Sequence, residues 1–341
     1  MSGDESADAG ARESSPVGWG IIGTGFVADR FIAPALADMA GARLVGVCGR
    51  TREGATDFAA RHHIERVYDD LADMLADPDV RAVYIATPNV VHAAQVEECA
   101  AAGRHVLCDK PLALSPLDAE RVVAACDNAR VQLGIMLQAR AYGGILRARE
   151  LVAKGSIGDV QLAQIEIGAG SVGLRGWRAD PVLAGMGATN NVGVHALDAL
   201  SYVLGECPVE VAAMTSLGEP DGLETTAVVT LRYPSRALAI ASINQSSQNP
   251  RFDLTLFGTS GRVDGHDVTR AGALGRVELL SGEPAAFDVS SQGAHAEILR
   301  TFTKALVDGV PVSPSGADGL ASVRLVDGIA RAARTGRVVS L

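Results

Sequence analysis

The chain has 341 residues, 48% hydrophobic and 21% charged, with a formal net charge of -10. This composition excludes a disordered polymer, and the negative balance argues against nucleic acid or an anionic membrane as a partner, because polyanions need a basic face. The length exceeds what one hydrophobic core organises, so two domains are expected.

Residues 1–16 are small, polar and acidic, without the basic start and apolar run of a secretory signal, and they read as a disordered tail. No run approaches the roughly 18 apolar residues of a spanning helix, so a cytoplasmic protein is expected. From Val17 to Leu137, short β-branched runs alternate with helical stretches. Strands are predicted at Gly18-Ile22, Arg43-Cys48, Ala82-Ala86, His105-Cys108 and Val131-Leu137. Helices are predicted at Val27-Met39, Thr51-His62, Tyr68-Ala76, Val91-Ala102 and Pro116-Asn128. This rhythm belongs to an α/β doubly wound parallel sheet, a Rossmann domain assigned to 17–140.

After Leu137 the pattern changes. A helix at Tyr142-Lys154, a strand at Val160-Ile167 and a helix at Asn190-Leu204 precede period-two alternation from Val209 to about Leu280. Helices at Ala294-Asp308 and Ala317-Arg334 and a strand at Val338-Leu341 close the chain. Residues 141–341 therefore read as an α+β domain with an open, mainly antiparallel sheet. Such a sheet needs cover, so a homodimer or a homotetramer is expected. The five cysteines, Cys48, Cys99, Cys108, Cys126 and Cys207, show no C-x-x-C pair and no metal-ligand spacing, and reduced, mostly buried thiols without a metal are expected.

The run Gly23-Thr24-Gly25-Phe26-Val27-Ala28 is G-x-G-x-x-A between an apolar strand and a helix. Gly23 permits the tight turn, Gly25 lets backbone amides approach a pyrophosphate, and Ala28 allows close helix packing. The second strand ends in Cys48-Gly49-Arg50-Thr51-Arg52, without the carboxylate that would accept hydrogen bonds from the ribose of NAD. Arg50 with the Thr51 hydroxyl suits a 2'-phosphate instead, which favours NADP and leaves NAD open.

Three further segments join the glycine loop: Ala86-Thr87-Pro88-Asn89 with His92, then Asp109-Lys110-Pro111, then 185–195 with Asn191 and His195. With these the chain resembles the glucose-fructose oxidoreductase and inositol dehydrogenase family (Gfo/Idh/MocA) over nearly all of 17–341. The resemblance implies hydride transfer between the nicotinamide and a secondary alcohol or ketone of a sugar, cyclitol or related polyol. It implies that the 86–92 segment lines the nicotinamide ribose, that Lys110 reaches both nicotinamide and substrate, and that the Lys110-Pro111 bond is cis. Gln138, Trp177 and Arg178 are placed at the cofactor and Arg140 and Tyr142 at the substrate, with the loop from Gly170 to Gly187 closing over the cofactor. The family's pattern has glutamate where this chain has Asp109, and aspartate where it has Asn191.

Asn191, His195 and Asp198 are spaced to share one helical face, making His195 a general acid/base with a near-neutral pKa and Asp198 either its orienting partner or a salt-bridge residue. Lys110 would lower the pKa of a substrate hydroxyl or polarise a carbonyl. Two other readings stay open: a redox-neutral epimerase or glycosidase that keeps its NAD(P), and a non-catalytic dinucleotide-sensing regulator.

Overall fold

Six strands build the first sheet of the computed structural model, which describes residues 15–169, 174–216 and 222–341. The N-terminal tail up to residue 14 and part of the Gly170–Gly187 loop lie outside the described residues. β1 (Val17–Ile22) leads through a π turn (Ala28–Ile32) into α1 (Ala33–Ala37). There follow β2 (Ala42–Cys48), α2 (Arg52–His62), β3 (Arg66–Tyr68), α3 (Leu71–Ala76), β4 (Ala82–Ile85), α4 (His92–Ala101), β5 (His105–Cys108), α5 (Pro116–Ala129) and β6 (Leu133–Ile135). All strand pairs are parallel, in the order β3-β2-β1-β4-β5-β6. The order reverses between β1 and β4, and a crevice at such a switch point, beyond the strands' carboxyl ends, is where open α/β sheets bind ligands.

Local chemistry sets the element ends. Thr51 caps α2 by accepting from the Gly54 amide, and Ser115 caps α5 through the Asp118 amide with Pro116 in the first turn. The helix expected at Tyr68-Ala76 is instead strand β3, a two-aspartate break and α3, because the Asp70 side chain accepts from the Asp73 amide and starts the helix there. The helix expected over Val27-Met39 opens as a π turn and ends at Ala37.

The second half contains α6 (Gly143–Ala153), β7 (Val160–Gly168), α7 (Pro181–Ala184), a π turn (Thr189–Gly193), α8 (Val194–Leu204), β8 (Glu210–Thr215), β9 (Thr226–Arg232) and β10 (Leu238–Asn244). It continues with β11 (Leu254–Gly258), β12 (Arg262–His266), β13 (Leu274–Leu280), β14 (Ala285–Ser290), α9 (Ala294–Asp308), α10 (Gly316–Thr335) and β15 (Val339–Ser340). The nine strands run β14-β13-β12-β11-β7-β10-β9-β8-β15, antiparallel except for the β7–β10 pair. β14 lies beyond the expected limit near Leu280; none of its residues is buried, so its alternation carries little apolar contrast. Along β9, Ala227, Val229 and Leu231 are sealed in the core while Val228, Thr230 and Arg232 face outward. The inner face packs on Ile145, Ala196, Leu200 and their neighbours from α6 and α8.

The chain then goes back to its starting point. Ile298, Leu299 and Phe302 of α9 pack with Val17, Trp19 and Ile21, and the Trp19 and Phe302 rings lie 5.5 Å apart. Val323 of α10 joins the core around Leu112 and Leu133. Residues 141–341, expected as a domain of their own, thus contribute two helices that pack on the first layer together with its own helices.

Candidate active site

A cleft of about 570 Å³ opens at the carboxyl ends of the parallel strands and is closed on its other side by the second half of the chain. Gly25, Phe26 and Val27 after β1 form one end. At Gly23 the backbone has φ +98, and a Cβ would stand 2.6 Å from the Ala86 carbonyl oxygen. A Cβ on Gly25 would meet nothing within 4 Å. The two glycines therefore serve different purposes: the first is demanded by the protein's own packing, the second keeps open the space over the loop. Gly23→Ala is expected to lower stability by about 1–3 kcal/mol in a denaturant titration. Gly25→Ala should leave stability unchanged and weaken dinucleotide binding at least tenfold, measured by fluorescence titration; equal affinity would show that nothing approaches that loop.

After β4, Ala86, Thr87 and Asn89 line the cleft. The Asn89 amide donates to the Ala184 carbonyl at 3.0 Å, tying this loop to the second half. Pro88 starts the following 3-10 turn without facing the cleft, and Thr24 likewise stays outside it. His92 is a correction to the expected cofactor contacts. Its ring is buried between the Pro111 carbonyl (2.7 Å) and the Thr87 carbonyl (3.0 Å), so it braces two cleft loops from behind.

After β5, the Lys110-Pro111 bond is cis. Asp109 turns back to accept the Lys110 backbone amide at 2.8 Å. Lys110 Nζ crosses the cleft and donates to the carbonyl oxygens of Asn190 (3.1 Å) and Asn191 (2.7 Å). Those carbonyls sit in the π turn before α8, where widened geometry loosens the regular ladder. An ammonium has three donors, so one remains for a ligand. Burial, with a lesser contribution from the Arg178 guanidinium, lowers the Lys110 pKa to about 8, opposed by Asp109.

His195 and Asn191 reach the same cleft from the second half. His195 Nε2 lies 3.3 Å from the Gln138 side-chain nitrogen. Its expected near-neutral pKa is not found: burial first, then the charges of Lys110 and His295, push it well below the ordinary value. The ring is therefore neutral, with one nitrogen able to accept a hydrogen bond. Nor does Asp198 orient it. Asp198 accepts three contacts from the Arg140 guanidinium, which also reaches Asp318 at 2.9 Å. Arg140 thereby leaves the cleft and belongs to a separate hollow beside α10, and Tyr142 is buried in the core. The two departures have different causes: the Asp198 and Asp318 carboxylates hold the guanidinium, and the Tyr142 ring packs into the apolar core.

Trp177 and Arg178 line the cleft, with the guanidinium 4.3 Å over the indole ring. Arg50 is exposed and, like Thr51, is not among the residues that line the cleft, and the Thr51 hydroxyl is already the α2 cap. His295 was not anticipated. It sits in the first turn of α9, stacked on Phe31 with centroids 4.3 Å apart, and burial lowers its pKa to about 4. No motif surrounds it in the sequence, and only the return of α9 to the first layer brings it here.

Gln138 Oε1, Asn190 Oδ1 and His195 Nδ1 are buried without hydrogen-bond partners among the described residues. Buried polar groups are normally paired. Unpartnered atoms clustered at one end of the cleft, with an open glycine loop at the other, fit a dinucleotide whose nicotinamide end lies by Lys110.

Comparisons with known proteins agree. Residues 17–136 match the model of an oxidoreductase family with an NAD-binding Rossmann fold, and residues 145–264 match the GFO/IDH/MocA C-terminal domain. The 1,5-anhydro-D-fructose reductase of Ensifer adhaerens is 27% identical over 328 residues, 95% of this chain and 98% of that protein. The aldose-aldose oxidoreductase of Caulobacter crescentus, solved with glycerol, superposes with a TM-score of 0.88 at 30% identity, covering 96% of this chain and all of the other. An oxidoreductase from Agrobacterium radiobacter, solved with NAD+, L-tartaric acid and magnesium, gives 0.85 at 25% identity, with 96% and 98% covered. The chain belongs to the Gfo/Idh/MocA family of oxidoreductases.

Proposed function

We propose that this protein interconverts a secondary alcohol and a ketone of a sugar or related polyol, using NAD(P). The observation that carries the reading is the Lys110 ammonium, held over the cleft by two carbonyls from the other half of the chain and facing His195. The similarity to sugar-acting relatives supports the substrate class. When bound, the nicotinamide supplies the carbon that accepts or returns hydride. Lys110 donates its free N–H to the substrate oxygen, stabilising negative charge there and delivering the proton in the reducing direction. In the oxidising direction the same path runs backwards: the uncharged Lys110 amine takes the hydroxyl proton, while neutral His195 accepts a hydrogen bond from the substrate. Asn191 accepts and donates hydrogen bonds to neighbouring hydroxyls but holds no charge. A panel of keto sugars, cyclitols and polyols, followed by the near-ultraviolet absorbance of reduced nicotinamide, tests this; tight cofactor binding with no turnover anywhere on the panel would favour a regulator.

NADP is proposed as the preferred cofactor. Arg50 is exposed with no carboxylate in ion-pair distance among the described residues, whereas Arg52 is already paired with Asp69. Arg50→Ala is expected to weaken NADP binding by about 1.5–3 kcal/mol, the range for a hydrogen bond to a charged group, and NAD binding little. Isothermal titration with both cofactors decides it, and an equal loss for the two would remove Arg50 from the 2' position.

A homo-oligomer is proposed through the outer face of the second sheet. Met214 and Val228 are exposed cross-strand partners there, with Leu238 on the adjoining β10. Sedimentation of a monomer at micromolar concentration would reject it.

A further inference from the structure

Glu224, in the segment before β9, is a buried carboxylate with an unusual set of partners. One oxygen accepts the Gly187 amide at 2.7 Å and the other the Thr189 amide at 2.9 Å. Its own backbone carbonyl accepts the amide between them, that of Ala188, at 2.8 Å. One residue thus grips three consecutive amides at the entrance to the π turn. The fit leaves no slack, since a Cβ on Gly187 would stand 2.2 Å from the Glu224 carbonyl oxygen. Among the described residues no cation pairs with this carboxylate; the amides and the dipole of the turn balance its charge.

In the two residues that follow the gripped amides, the carbonyls of Asn190 and Asn191 hold Lys110 Nζ. We propose that Glu224 is a positioning residue: by clamping 187–189 it fixes the two carbonyls that aim the Lys110 ammonium into the cleft. Glu224 touches neither cofactor nor substrate space, and it acts through the backbone alone. The proposal rests on the reading of Lys110 as the proton-handling group.

Substitutions separate the clamp from its charge. Glu224→Gln keeps the shape but turns an NH2 group toward a backbone N–H, setting donor against donor. Glu224→Asp keeps the charge but falls one methylene short. The charged and titratable groups facing Lys110 are Asp109 from its own loop, Arg178 from the 3-10 turn, His195 from α8 and His295 from α9. Neither substitution touches any of these four, so a common change in both variants reports the carbonyls.

The chain has three lysines, and Lys154 and Lys304 are exposed, each in a helical ion pair. Competitive acylation across pH, read by mass spectrometry, therefore follows Lys110 against two internal references without needing a substrate. In both variants the Lys110 midpoint is expected to fall by about half a unit or more, as an ammonium does on losing its acceptors, while the references stay put. Turnover should drop about tenfold with the cofactor Kd nearly unchanged. An unmoved Lys110 midpoint in Glu224→Asp, folded by circular dichroism and binding cofactor normally, would overturn the proposal. A shifted midpoint in a protein whose parent turns over nothing would instead uphold the clamp and reject the enzymatic reading.

Discussion

Replacing Lys110 by methionine is expected to lower turnover by about three orders of magnitude, within the 10²–10⁴ range for losing a positioned proton donor, while cofactor affinity survives. The stem still fills the cleft, but nothing donates to the substrate oxygen. In the parent enzyme, reduction should slow as pH rises through about 8, where Lys110 loses its proton. That limb should vanish from the residual activity of the variant. A retained limb would assign it to another group.

The same substitution has an opposite expected effect on stability. The Lys110 pKa falls from 10.5 in the unfolded chain to about 8 in the fold. Between those values the unfolded chain holds a proton that the native state lacks, so this group makes stability rise with pH across that window. Below pH 8 the charged ammonium is buried at a cost. Lys110→Met should therefore be at least as stable as the parent at pH 7 and should lack the rise. Melting temperatures from pH 6 to 10 test both points, and a clear loss of stability at pH 7 would show that the two carbonyl contacts outweigh the burial.

Arg140→Ala is expected to destabilise the fold by about 3–5 kcal/mol, the range for removing one partner of a buried ion pair. The Arg140 and Asp198 side chains are only 13% and 5% exposed, so solvent cannot take over the lost contacts. Burial already raises the Asp198 pKa against the pull of the guanidinium. Without Arg140 the carboxyl rises further and takes up a proton more readily in the native state than unfolded. The deficit should accordingly shrink as pH falls, and Arg140→Ala with Asp198→Asn should recover part of it. Guanidinium titrations at two pH values measure this; a pH-independent loss under about 1 kcal/mol, typical of an exposed pair, would mean that water reaches Asp198.

What the sequence made legible follows from how local each signal is. The glycine loop, Lys110 and the strands of the parallel sheet announce themselves within a few residues, because turn chemistry and β-branched runs are short-range. The β9 alternation is equally clear, since one face is sealed and the other is wet. Helical periodicity grouped Asn191 and His195, which line the cleft, with Asp198, which does not, because spacing on a helix says nothing about a guanidinium arriving from residue 140. The lowered pKa of His195 depends on burial and on Lys110 and His295, groups 85 residues before it and 100 after. Glu224 lies 37 residues from the amide it grips. Those relations exist only once the two halves meet.

The packing of Phe302 on Trp19 gives the chain a particular order of assembly. β1 is synthesised well before α9, so the side of Trp19 that packs on Phe302 stays uncovered until that helix is made. A nascent Rossmann layer therefore stays open through synthesis of the whole second sheet, with Trp19 and Leu133 exposed to anything that binds apolar surface. A gene cut after residue 140 would yield a layer with the same gap made permanent. Along the chain the second sheet lies between parts of one packed layer, so exchanging it between relatives would require two junctions, not one.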